Sequence, residues 1–121
     1  MQRRVLIVGV LFWLAGTITV RLGGQQVFRL PPLVLYAVSF AALTFLTPQI
    51  FRRLGIAPEG WPQAATILML PTLLLDPFSC AFFPLVFPNV HSGAAGVFGG
   101  WMLMCCGGAA VGAWLPLARR W

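Results

Sequence analysis

Apolar residues run almost unbroken through four stretches, about residues 5–22, 30–51, 61–83 and 93–117, and glycine, proline or arginine punctuates the short segments between them. A run of roughly 20 apolar residues is what a helix needs to cross a bilayer. The pattern predicts an all-α polytopic membrane protein: one membrane domain, residues 1–121, folded as a four-transmembrane-helix bundle.

The punctuation assigns the helix ends. The first run follows Met1-Gln2-Arg3-Arg4, which is also how a signal peptide begins, with Ala15-Gly16-Thr17 as a candidate exit. Apolar residues continue through Ile18 and Val20, so the run reads as helix one. Gly23-Gly24-Gln25-Gln26 is expected to end it. Pro31-Pro32 opens the second run, proline being tolerated where the first N–H groups have no partner, and Arg52-Arg53 closes it. Pro58-Glu59-Gly60 is a turn, with Glu59 a solvated cap near the positive end of helix three.

Helix three carries Pro71 and Pro77 in its interior, which predicts a bent, interrupted helix. Each proline leaves a carbonyl, of Ile67 and of Leu73, without its usual donor. In hydrocarbon such acceptors need side chains, water or another helix, and a polar cavity near Leu73 and Asp76 is one solution. Helix four contains two GxxxG spacings, Gly96/Gly100 and Gly108/Gly112, which let helix backbones approach closely. The packing partner is open: a helix of the same chain, a second copy in a homo-oligomer, or another membrane protein.

Composition agrees with the spans. Of 121 residues 60% are hydrophobic and 8% charged, and the mean hydropathy is +0.90; a soluble domain is about a quarter charged. The net charge of +6 comes from eight arginines against Glu59 and Asp76. The arginines sit in pairs at segment ends and form no basic face, which excludes a nucleic-acid partner. With both termini and the loop between helices two and three in the cytoplasm, six arginines lie inside (Arg3, Arg4, Arg52, Arg53, Arg119, Arg120) and two outside (Arg21, Arg29). That is a positive-inside bias, and it orients the chain in its first partner, the lipid bilayer. Trp61 and Trp121 fall at the expected interfaces, whereas Trp13, Trp101 and Trp114 lie deeper and need packing partners.

Few residues carry candidate chemistry. Asp76 is the one acid inside a span, about 4–5 Å from the midplane at 1.5 Å rise per residue. An aspartate there costs about 2.5–3.5 kcal/mol on insertion scales, so it is expected to face the interior and either pair or take up a proton. Arg21 is the natural partner and Arg29 the reserve. Such a pair is either a clamp between helices one and three or a functional site, and the sequence leaves both open. Cys80, Cys105 and Cys106 lie within apolar runs, without CxxC or Cys/His ligand spacing, and read as packing residues. His91 is a lone loop histidine, and the span threonines, such as Thr17 and Thr72, bond to their own helices or line a polar path. Without GxSxG, HExxH, a phosphate loop or paired carboxylates, no ordinary active site, metal or cofactor is expected. An enzyme using Cys80 or His91 at the outer surface is a remote third class.

Three segments carry a resemblance: Leu73-Leu74-Leu75-Asp76, Phe82-Phe83-Pro84-Leu85-Val86-Phe87-Pro88-Asn89 and Gly96-Val97-Phe98-Gly99-Gly100-Trp101. With Gly16-Thr17 and Arg21 in helix one, they resemble an uncharacterised family (a domain of unknown function) of short four-helix bacterial integral membrane proteins. The resemblance implies the same topology and a bacterial inner membrane, and brings no activity with it. Small multidrug transporters look for a glutamate in helix one, which this chain lacks. Two functions follow from the residues: a small transporter or permeation subunit with a polar site at Asp76 and Arg21, or a structural or accessory protein that binds a partner through the glycines of helix four.

Overall fold

The computed structural model describes residues 2–118, except the side chains of Leu117 and Ala118. Arg119, Arg120 and Trp121, assigned above to the cytoplasmic end, lie outside the described residues. The described chain is helical, without a strand: α1 (Gln2–Val27), α2 (Pro32–Arg53), α3 (Trp61–Ala81), the single turn α4 (Phe83–Val86) and α5 (Ala95–Ala118), with 3-10 turns at Pro58–Gly60 and Ser92–Ala94. Four of the helices are long and apolar enough to cross a membrane.

Two boundary expectations are corrected. α1 does not stop at Leu22 but runs through Gly23 and Gly24 to Val27, 26 residues in all. Packing carries it past the glycines: Gly24 is buried against the loop after α4, and a Cβ there would come within 2.7 Å of a Val90 methyl. α3 is not interrupted; one continuous helix passes through both Pro71 and Pro77. Each proline removes one N–H, and the ladder resumes on either side of it. The third span nevertheless ends at Ala81, and Phe83, expected inside it, begins α4.

The packing order differs from the chain order. α1 lies along α3, α2 lies along α5, and α3 joins the two pairs by packing on α5; α1 and α2, neighbours in sequence, make no comparable contact. Since the four spans alternate in direction, each of the pairs α1/α3 and α2/α5 is parallel. In α2/α5, side-chain hydrogen bonds recur along the seam. Tyr36 Oη donates to the Val97 carbonyl (3.1 Å), Trp101 Nε1 to Ser39 Oγ (2.7 Å) and Thr44 Oγ1 to the carbonyls of Phe40 (2.8 Å) and Gly108 (3.2 Å). Gly108 and Gly112 make this approach possible: a Cβ on either would stand 2.5 Å from the Phe40 or the Thr44 carbonyl oxygen. In α1/α3 the equivalent crossing is at Gly9, where a Cβ would stand 2.6 Å from the Leu68 carbonyl oxygen and 3.3 Å from the Pro71 ring.

Two packed clusters cap the bundle. At the end carrying Arg4, Arg52 and Arg53, Val5, Phe51, Trp61, Ala64, Leu68 and Ala113 close together. Trp61 donates Nε1 to the Ile56 carbonyl at 2.9 Å, and the Arg52 guanidinium lies 5.8 Å from its ring centroid. At the α4 end, Phe83, Phe87 and Phe98 stack with centroids 5.1–5.7 Å apart, over Val20 and Val90. Asp76 lies on the stretch of α3 between these clusters.

Candidate intramembrane site at Asp76

α1 packs on α3 and makes no comparable contact with α2 or α5, which leaves the bundle open on that side. A groove of about 290 Å³ lies among α1, α2, α3 and α5, with Trp13, Thr17, Thr72, Asp76, Trp101 and Cys105 among its walls. A second hollow of about 190 Å³, on the stretch of α3 and α5 that includes Pro77, Cys80 and Gly99, also has Asp76 and Thr72 in its wall. Asp76 therefore borders both cavities, although the residue itself is only 6% exposed.

The carboxyl has one partner. Trp13 Nε1 donates to Oδ1 at 3.0 Å across the parallel α1/α3 pair. Oδ2 is buried without a hydrogen-bond partner. An orphaned carboxylate oxygen inside an apolar bundle is costly, more than an orphaned neutral group.

Arg21 is not the partner of Asp76, which corrects the expected pair. Eight residues beyond Trp13 on α1, it lies about 12 Å further along the axis at 1.5 Å per residue. Its Nη1 donates instead to the Val86 carbonyl at the end of α4, at 2.9 Å. Beside it, Asn89 Nδ2 donates to the Val20 carbonyl (2.9 Å) and to Gln25 Oε1 (2.8 Å). Arg21, Gln25 and Asn89 thus fasten the loop after α3 to the end of α1. Arg29, the reserve partner, is exposed in the turn between α1 and α2, and no ion pair joins it to Asp76 among the described residues.

The remaining candidates separate cleanly. Pro71 is buried at the Gly9 crossing, while Pro77 borders the smaller hollow. Gly100, Gly108 and Gly112 are taken up by α2 within the chain, through Tyr36, Phe40, Thr44 and Pro48, and Gly96 has open space beside it. His91 accepts from the Gly93 N–H at 2.9 Å and caps the turn before α5. The three thiols are free; Cys105 and Cys106 border the groove, and Cys80 and Cys106 the smaller hollow. No group of three or more histidines, cysteines or acids stands ready for a metal among the described residues.

Residues 25–116 match the model of a family of unknown function, DUF5367. The chain belongs to that family. The match takes in α2, α3 and α5, hence Asp76 and most of the groove, and begins after Trp13. No curated protein and no solved structure matches the chain. As a member of DUF5367 with four apolar helices, it is a small multi-pass membrane protein.

Proposed function

We propose that this DUF5367 protein is a small transporter or permeation subunit that holds its solute at Asp76, in the groove between the α1/α3 and α2/α5 pairs. The observation that carries the reading is the buried Oδ2 without a partner in the wall of a mid-span cavity. A carboxyl kept only to clamp two helices would have both oxygens satisfied, because an unfilled bond there weakens the clamp. Intramembrane acids beside cavities mark ligand and ion pathways in membrane proteins.

The arginine pairs favour an orientation with the Arg52-Arg53 end in the cytoplasm of a bacterial inner membrane. In that orientation α4 and the loop held by Arg21 and Asn89 close the outer end. The accessory reading loses most of its support, since the glycines it relies on, Gly96 excepted, already pack on α2.

Transport requires the groove to reach water from both sides. A single-cysteine variant retaining Cys105, with Cys80 and Cys106 changed to alanine, is exposed in right-side-out and inverted vesicles to a membrane-impermeant cationic thiosulfonate. Modification from both sides is expected. Protection from both, with modification only after detergent, marks a sealed core and refutes the proposal.

A further inference from the structure

We infer that the groove binds an organic ammonium ion with an apolar, aromatic or short aliphatic body, its N–H donated to Asp76 Oδ2. This inference rests on the reading of the groove as a solute site and adds the class of solute. Three observations carry it.

The first is charge. No arginine or histidine lines either cavity among the described residues, and Asp76 is the one carboxyl there to attract a cation. An anion would meet repulsion with nothing to offset it, and a neutral body would leave the buried carboxyl as it is.

The second is the lining. Trp13, Phe98 and Trp101 share the groove with Met69 and Met102. Aromatic faces attract an ammonium ion within about 6 Å of their centroids, more strongly once water is excluded. Thioether and aromatic surface also buries hydrocarbon, which an inorganic cation does not offer. Calcium takes six to eight oxygen ligands and magnesium six; here one carboxyl stands with the hydroxyls of Thr17, Thr19 and Thr72, and Thr19 donates to the Ala15 carbonyl.

The third is the geometry of the vacancy. Trp13 holds Oδ1 at 3.0 Å and leaves Oδ2 free. A bound N–H reaches Oδ2 once the carboxyl turns slightly towards the groove, a soft motion for the terminal torsion of aspartate. The volume, about 290 Å³, lies at the small end of ligand pockets, which run from about 300 to 1,000 Å³. A single ring with a short tail fits that size. A hydrophobic amine also partitions into the bilayer, where the separation of α1 from α2 admits it from the side.

The test uses three probes of one shape: 3-phenylpropylammonium, the alcohol 3-phenyl-1-propanol and the anion 3-phenylpropionate. Each is titrated into the purified full-length protein in detergent while tryptophan fluorescence is followed, since Trp13 and Trp101 line the groove. The ammonium ion is expected to bind saturably and at least tenfold more tightly than the other two, and Asp76→Asn to remove that advantage. Equal binding of the alcohol, tighter binding of the carboxylate, or no saturable response to the ammonium ion overturns the inference. The wild-type comparison of the three probes decides the matter even if Asp76→Asn fails to fold. Thiol labelling at Cys105 separates the two levels: a groove that labels from both sides yet shows no preference for the ammonium ion refutes the solute class and leaves the solute site standing.

Discussion

Replacing Gly108 by alanine is the sharpest perturbation of the α2/α5 seam. The new Cβ would lie 2.5 Å from the Phe40 carbonyl oxygen and 3.1 Å from the Leu43 Cβ. Ordinary contact is about 3.5 Å, so the helices must part locally by about 1 Å. Overpacking of this kind costs about 1–3 kcal/mol. Separation also stretches the 3.2 Å bond from Thr44 Oγ1 to the Gly108 carbonyl, worth about 1 kcal/mol. Alanine's better helix propensity returns about 1 kcal/mol. The balance is a loss of about 1–3 kcal/mol. Gly96→Ala is the control: nothing lies within 4 Å of its added Cβ, so it loses nothing and gains up to about 1 kcal/mol. Thermal unfolding in detergent, followed by the loss of helical circular dichroism, compares the two. A midpoint for Gly108→Ala at or above that for Gly96→Ala refutes the close seam.

Other expectations concern the site and its surroundings. Trp13→Phe strips Asp76 of its one donor and should destabilise by about 1–3 kcal/mol; in an Asp76→Leu background its cost should fall by about 1 kcal/mol or more in a double-mutant cycle, since the bond is already gone. By contrast, Arg21→Ala and Asp76→Leu share no partner, and their unfolding effects should add within about 0.5 kcal/mol; strong coupling between them would restore the ion pair rejected above. Asn89→Ala removes the bonds to Val20 and Gln25. Hydrogen exchange should then accelerate at residues 83–91 without changing in α2, and an unchanged loop would show that the fastening is not made there.

The four spans were legible because a bilayer leaves few alternatives: a long apolar run with polar punctuation must be a crossing helix. Asp76 was legible for the same reason, as the one acid in hydrocarbon. Its partner was not. Charge complementarity pointed to Arg21, but the indole of Trp13 is nearer along α1, and Arg21 is held by the Val86 carbonyl. A signal for Trp13 did exist, because an indole N–H deep in a span needs an acceptor and Asp76 is the strongest one available. Gly9 gave no warning: it belongs to no GxxxG spacing, and its role appears only when Leu68 and Pro71 are placed against it. Local punctuation also misjudged Gly23-Gly24 and Pro71/Pro77. Tertiary contact carries α1 through the glycines, and a proline costs a membrane helix one hydrogen bond, not its continuity. The groove left no mark in the sequence: it exists because α1 packs on α3 and α2 on α5.

The claim on which the rest depends is that Asp76 faces an open groove with one oxygen free. A high-resolution structure of the protein in a lipid nanodisc, with 3-phenylpropylammonium present, tests it most directly at the Asp76 carboxyl. Trp13 Nε1 is expected within hydrogen-bonding distance of one oxygen, with density for the amine against the other and α1 still apart from α2. Asp76 sealed by Arg21, or the groove closed by α1 packed on α2, would contradict it.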